Sequence, residues 1–301
     1  MSDIAAESQS RSRRRRGGEA APKPPFLSKQ LEWGAASYLD NPTEPVNEEG
    51  VEAIHEATMR VLEDVGILFL NDEALDVLEA AGCTVDRETK RVRMDRDFVI
   101  EMAAKAPATF TITPRNPDRE ITVGCRQFNF GQVASAPNVM DLDRGRRIGN
   151  RADYQDLLRL SQAYNCIHFN SGYPVEPIDI HASIRHLDAH YDMLTLTDKV
   201  IHAYSLGPER IEDVMEMARI AGGLTAEEFE ARPHMFTNIN SSSPLKHDWP
   251  MLDGAMRAAK RGQAVVLSPF TLAGAVAPVP IPGAVVQQNA EALAPLTPPK
   301  P

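Results

Sequence analysis

The chain has little cysteine. Cys83, Cys125 and Cys166 stand apart among 301 residues, with no C-x-x-C pair and no even framework. Three scattered thiols argue against a disulfide scaffold and suit a reduced, cytoplasmic protein. Long apolar runs are also missing, so no stretch has the length of a membrane span. The opening MSDIAAESQS lacks the apolar core of a secretory signal. Positive charge is in deficit: the formal net charge is -10, which argues against general affinity for nucleic acid. No P-loop, G-x-G-x-x-G, H-E-x-x-H or Ser-His-Asp order occurs, and there is no repeat of the solenoid kind.

What is present is enough for a packed core. The hydrophobic fraction is 43%, and the length suits one large domain or two ordinary ones. One segment opposes the acidic average: Arg11-Ser12-Arg13-Arg14-Arg15-Arg16, in a run rich in Ser, Gly, Ala, Pro and Glu. It reads either as an anion-binding arm or as a solvated tail. With no apolar face beside it, residues 1–25 are expected to form a disordered basic tail.

Residues 26–125 read as a small α+β region. Asn47 can cap a helix whose apolar positions run from Val51 to Val65 and which Gly66 ends. Asn71 caps a second helix, stopping at Gly82, and Asp95 a third, stopping before Pro107. Thr84-Val85 and Val92-Arg93 bracket a polar turn, and Thr109–Thr113 and Glu120–Val123 read as paired strands.

From residue 126 to residue 294 strands and helices alternate. The strands are Phe128–Gly131, Ile167–Asn170, Val200–Tyr204, His234–Ile239 and Ala264–Leu267. The helices start at Arg151, near Ile184, at Pro208, near Asp248 and at Gly283. A hairpin over Val139–Ile148 is inserted after the first strand. Alternating βα units imply a parallel sheet with helices outside. Five of them predict an α/β fold, a partial TIM (β/α)8 barrel of about five units. A complete barrel takes roughly 250 residues, so a C-terminally truncated product or fragment is expected, with residues 295–301 as a tail of another kind.

The polar residues of these units sit at strand C-termini, where parallel α/β folds place their chemistry. Asn170, Tyr204, Asn238, Asn240, Ser268 and Phe270 are the candidate substrate-binding residues. Amides and hydroxyls at such a mouth orient a polar group, and aromatic faces attract a quaternary ammonium. Each can equally do no more than satisfy a loop backbone. His202, within its strand, is either a proton carrier or a hydrogen-bonded core histidine. His181, His186 and His190 are placed on one helix, where His186 and His190, one turn apart, can share a metal. His181 is off their face, and a solvated helix face is the better reading, so no metal site is assigned.

Several blocks carry a resemblance. They are N-x-N-S-x-S-P-L from Asn238, V-V-L-S-P-F-x-L-A-G-A-V-A-P-V from Val265, and G-A-V-V-Q-Q-N-A-E-A-L-A from Gly283. Upstream stand I-H-E-A-T-M-R-V-L-E-D-V-G from Ile54, Ala81-Gly82-Cys83, Phe128-Asn129-Phe130-Gly131 and Asn150-Arg151-Ala152-Asp153-Tyr154. From about residue 30 to residue 294 the chain resembles the corrinoid-dependent trimethylamine methyltransferase family, which includes enzymes for other methylated amines and betaines. The resemblance implies methyl transfer from trimethylamine or a betaine-like amine to the cobalt of a corrinoid (cobalamin) carried by a partner protein, with no cofactor bound directly. It also implies a homo-oligomer at full length. The pyrrolysine position of some archaeal members falls beyond Ala294. Two other readings stay open: a non-catalytic remnant of such an enzyme, and a metal-dependent barrel hydrolase resting on the His181 segment.

Overall fold

The computed structural model describes residues 30–34, 36–38 and 40–296. The arginine run Arg11–Arg16 and the last five residues lie outside the described residues. From Leu31 onward the described chain is one unit.

Four parallel strands form its central sheet in sequential order: β1 (Phe169–Asn170), β2 (Val200–Tyr204), β3 (Phe236–Ile239) and β4 (Ala264–Leu267). One helix precedes them, α1 (Arg151–Ala163), and three link them: α2 (Arg185–Leu196), α3 (Pro208–Gly222) and α4 (Trp249–Lys260). Pro208 stands at the first position of α3, where its missing N–H costs nothing. Asn150 and Asp248 accept from the N–H groups of Asp153 and Met251 and so fix the starts of α1 and α4. The alternation of strand and helix is therefore as the sequence implies. Among the described residues the sheet is open, and no closed barrel forms.

The first expected strand is the exception. Gln127–Phe128 pairs antiparallel with Ala36–Ser37, and only Gly131 forms a parallel bridge, to Phe169. His168 accounts for the shift. Its Nδ1 accepts the Phe130 N–H at 2.8 Å and its own N–H donates to Phe130 O at 2.7 Å, so the segment joins the sheet at one point only.

Register decides which residues face which side. Phe169 stands opposite Val200, His202 opposite Phe236, and Phe236 opposite Ala264. Phe169, Val200, Phe236 and Ala264 share one cluster with Ile112, Ile121, Phe110, Val123 and Trp33. The antiparallel hairpin Thr109–Ile112 with Ile121–Gly124 thus covers the N-terminal end of the inner face. Ile201, Ala203, Met235 and Val265 alternate with these and pack on the helices.

The segment from Asn47 to Lys105 behaves as its caps demand: Asn47, Asn71 and Asp95 each accept a backbone N–H of the helix they precede. Its core is shared. Met59, Leu62, Phe69, Leu75 and Leu78 pack with Leu252 of α4 and with Ala290 and Ala294 at the end of the last helix, α5 (Ile281–Leu293). Lys246–His247 also joins its sheet, parallel to Leu68-Phe69.

Candidate functional site

The strand ends are built by one register. Tyr204 lies opposite Asn238, and Asn238 opposite Val266. Period-two alternation then puts Asn240 and Ser268 on the same face, one step further out. Asn238 Nδ2 donates to Asn240 Oδ1 at 3.0 Å, so the two amides act as one group. The Asn240 N–H faces Met251 Sδ at 3.3 Å, which holds the loop against α4. Ser268 donates its N–H to Ile239 O at 2.9 Å and leaves its side chain exposed. The structure thus brings Tyr204, Asn238, Asn240 and Ser268 together. Phe270 follows as an exposed ring whose N–H is held by Ser241 Oγ at 3.2 Å.

Asn170 is placed elsewhere. It pairs with Ile201, a helix-side residue, so it too turns to the helices. Its Nδ2 donates to Thr197 Oγ1 at 2.9 Å and its Oδ1 accepts from Ser161 at 3.2 Å, with the side chain fully buried. Phe169 takes the inner position that a substrate contact would need. Asn170 ties β1 to α1 and to the end of α2.

His202 sits under the row of amides. Its ring packs edge-on to Tyr204 at 4.7 Å and against Phe236 at 5.1 Å. Nε2 accepts the Asn238 N–H at 3.2 Å, so the ring proton resides on Nδ1, which is buried and has no partner among the described residues. Burial, with His190 nearby, pushes its pKa down to about 3. It is a neutral core histidine, not a proton carrier at neutral pH.

The other histidines do not assemble. α2 begins at Arg185, so His181 lies ahead of it, bonded to Ser183. His186 Nε2 pairs with Asp213 at 2.8 Å. Both ring nitrogens of His190 face backbone carbonyls, those of His186 and His202. Among the described residues no group of three His, Cys, Asp or Glu side chains gathers as a metal site.

The motif Ser241-Ser242-Ser243-Pro244 has a partner that the sequence reading passed over. Glu291, on α5, is fully buried. It accepts hydrogen bonds from Ser241 Oγ, from Ser243 Oγ at 2.6 Å, from the Leu245 N–H at 2.7 Å and from Gln287 Nε2 at 2.9 Å. His247 Nε2 donates to its backbone carbonyl at 3.0 Å. Since Ser241 also holds the Phe270 N–H, one carboxylate ties the loops after β3 and β4 to a single helix. The signal was a Gln and a Glu four apart, the Glu being the one charged residue of the helix, on the face that must be buried.

Comparison with known proteins follows the same blocks. The family model for trimethylamine methyltransferase (MTTB) matches residues 10–298. A glycine betaine methyltransferase of Desulfitobacterium hafniense (strain Y51) is 36% identical over 249 residues, which is 83% of this chain and 51% of that protein. A trimethylamine methyltransferase MttB of Desulfitobacterium hafniense (strain DSM 10664 / DCB-2) is 27% identical over 82% of this chain and 50% of its own length. A proline betaine:corrinoid methyltransferase of Eubacterium limosum is 28% identical over 83% and 52%. The chain spans about half the length of the curated relatives it matches.

Proposed function

As the chain belongs to the trimethylamine methyltransferase family, we propose that it serves methyl transfer from a small methylated amine, trimethylamine or a betaine, to a corrinoid protein. The observation that carries this reading is the row Tyr204, Asn238, Asn240 and Ser268, on one face at the C-terminal ends of parallel strands. We also read the open sheet as a sector of a (β/α)8 barrel and this row as part of its mouth. The described part of residues 26–125 forms an α+β region beside residues 126–294, and the protein works in the cytoplasm. No helix of the described residues is long and apolar enough to cross a membrane.

The chemistry suits these side chains. A methylated ammonium offers no acidic proton to a general base, so recognition falls to ring faces and oriented dipoles. Tyr204 supplies a face, Phe270 an exposed rim, and the coupled Asn238 and Asn240 amides orient the polar end of the donor. His202, held neutral, adds no like charge beneath the cation. The corrinoid supplies the cobalt nucleophile, while the protein's own part is to position the methyl carbon and exclude water.

The test is initial-rate transfer from trimethylamine or glycine betaine to a cob(I)alamin-loaded corrinoid protein, followed by cobalt absorbance. Asn240→Ala and Ser268→Ala each slow transfer by about ten- to a hundredfold, or about 1–3 kcal/mol. Circular dichroism melts stay near the parent's. Unchanged turnover in both variants would move the site away from this row.

A further inference from the structure

A cleft of ≈ 290 Å³ opens where the loops after β1 and β2 meet α2 and the first turns of α3. Its volume is at the small end for ligand sites. It is walled by Tyr173, Glu176, Arg185, Tyr204 and Arg210. The two tyrosine rings meet edge-on at 4.9 Å. The Tyr204 hydroxyl is fully engaged, accepting the Tyr173 N–H at 3.0 Å and sharing a proton with Ser135 Oγ at 2.8 Å.

The Tyr173 hydroxyl is different. The residue is 6% exposed, yet this group bonds to none of the described residues. It belongs to a side chain that lines the cleft together with Glu176, Arg185 and Arg210. Arg185 is occupied: Nε and Nη2 donate to Ile180 O at 3.2 and 3.0 Å, and Nη1 stands 3.9 Å from Glu176. Arg210 has no hydrogen bond or ion pair with any described residue. It projects from the first turn of α3, where the helix dipole adds positive potential.

One free guanidinium and one free phenol thus converge on a small, aromatic-walled space. A guanidinium fork matches the two oxygens of a carboxylate. Glu176 opposes an anion of higher charge, and the tyrosine rings accept an apolar remainder. We propose that this cleft binds a small monocarboxylate, its oxygens held by Arg210 and the Tyr173 hydroxyl and its alkyl end set against the Tyr173 and Tyr204 rings. The site shares the Tyr204 ring with the strand-end row but not the Asn238 and Asn240 amides, and it stands whether or not the methyl-transfer reading does.

Ligand-observed NMR titration of the purified chain tests this, with propionate as probe and propionamide as its uncharged isostere. Propionate binds saturably and propionamide at least about tenfold more weakly. Arg210→Met and Tyr173→Phe each weaken propionate binding by about tenfold, and the phenylalanine keeps the ring packing. Glu176→Gln tightens it, and Asn240→Ala leaves it unchanged. Equal binding of the two probes, absence of saturation, or undiminished binding by Arg210→Met would overturn the proposal. Loss of propionate binding in Asn240→Ala would do so too, by placing the carboxylate at the strand-end row.

Discussion

His202 shows how one buried side chain links fold and pH response. Its pKa is pushed down to about 3 by burial, with His190 contributing, and burial lowers those of His190, His168 and His247 as well. In the unfolded chain each takes up a proton near pH 6.5. Between about pH 6.5 and pH 3 the unfolded state therefore binds more protons than the folded state. Stability that is fully present above about pH 6.5 is lost as pH falls, at about 1.4 kcal/mol per pH unit for each proton of difference. Urea unfolding followed across this range gives that slope, and His202→Asn lowers it by up to one proton. A slope identical to the parent's would mean that His202 titrates normally in the folded protein. At this scale the sequence was partly legible. Asn47, Asn71 and Asp95 announced themselves as caps because their physics is local. That Tyr204, Asn238, Asn240 and Ser268 stand at strand ends was legible because strand ends are local too. The side taken by Asn170 was not, because β1 is two residues long and its phase is set by Val200 and Ile201, across the sheet.

At the scale of elements, α5 is a structural anchor, and Glu291 is its point of attachment. Glu291→Ala leaves Ser241, Ser243, Gln287 and the Leu245 N–H without their shared acceptor. The expected loss of stability is about 3 kcal/mol. Hydrogen exchange reads the consequence directly: the Leu245 and Phe270 amides lose protection first, because both depend on the Glu291–Ser241 contacts. Glu291→Gln keeps one acceptor oxygen and loses less. If both amides stay protected in the alanine variant, the loops are held by packing alone. The sequence displayed this motif as a polar cluster at a strand end, which is the pattern of a binding site. Its structural share became visible only when α5, from a later βα unit, came down on it. Long-range partnerships of this kind, like that of Lys246–His247 with Leu68-Phe69, leave no periodic trace along the chain.

At the scale of the molecule, the parallel sheet ends on β4, which pairs with β3 and with no other described strand. An open edge exposes a row of backbone donors and acceptors, a template for another chain. The residues that follow add apolar surface: Phe270 is 62% exposed, Leu272 56%, Val279 75% and Ile281 67%. Natural edges are blunted by charge or proline, and β4 itself carries only Ala264, Val265, Val266 and Leu267. The chain as given should therefore self-associate through this side. Light scattering should report a mass above 33.1 kDa that rises with concentration. Leu272→Lys and Val279→Lys together should lower that mass, because each places a charge that two copies cannot bury unpaired. Neither side chain belongs to the row of Tyr204, Asn238, Asn240 and Ser268, so amide exchange along β2 and β3 should be unaltered. A monomer of constant mass at every concentration would show that the edge is protected by the geometry of the 270–281 segment itself. The same double variant would then have no effect on association.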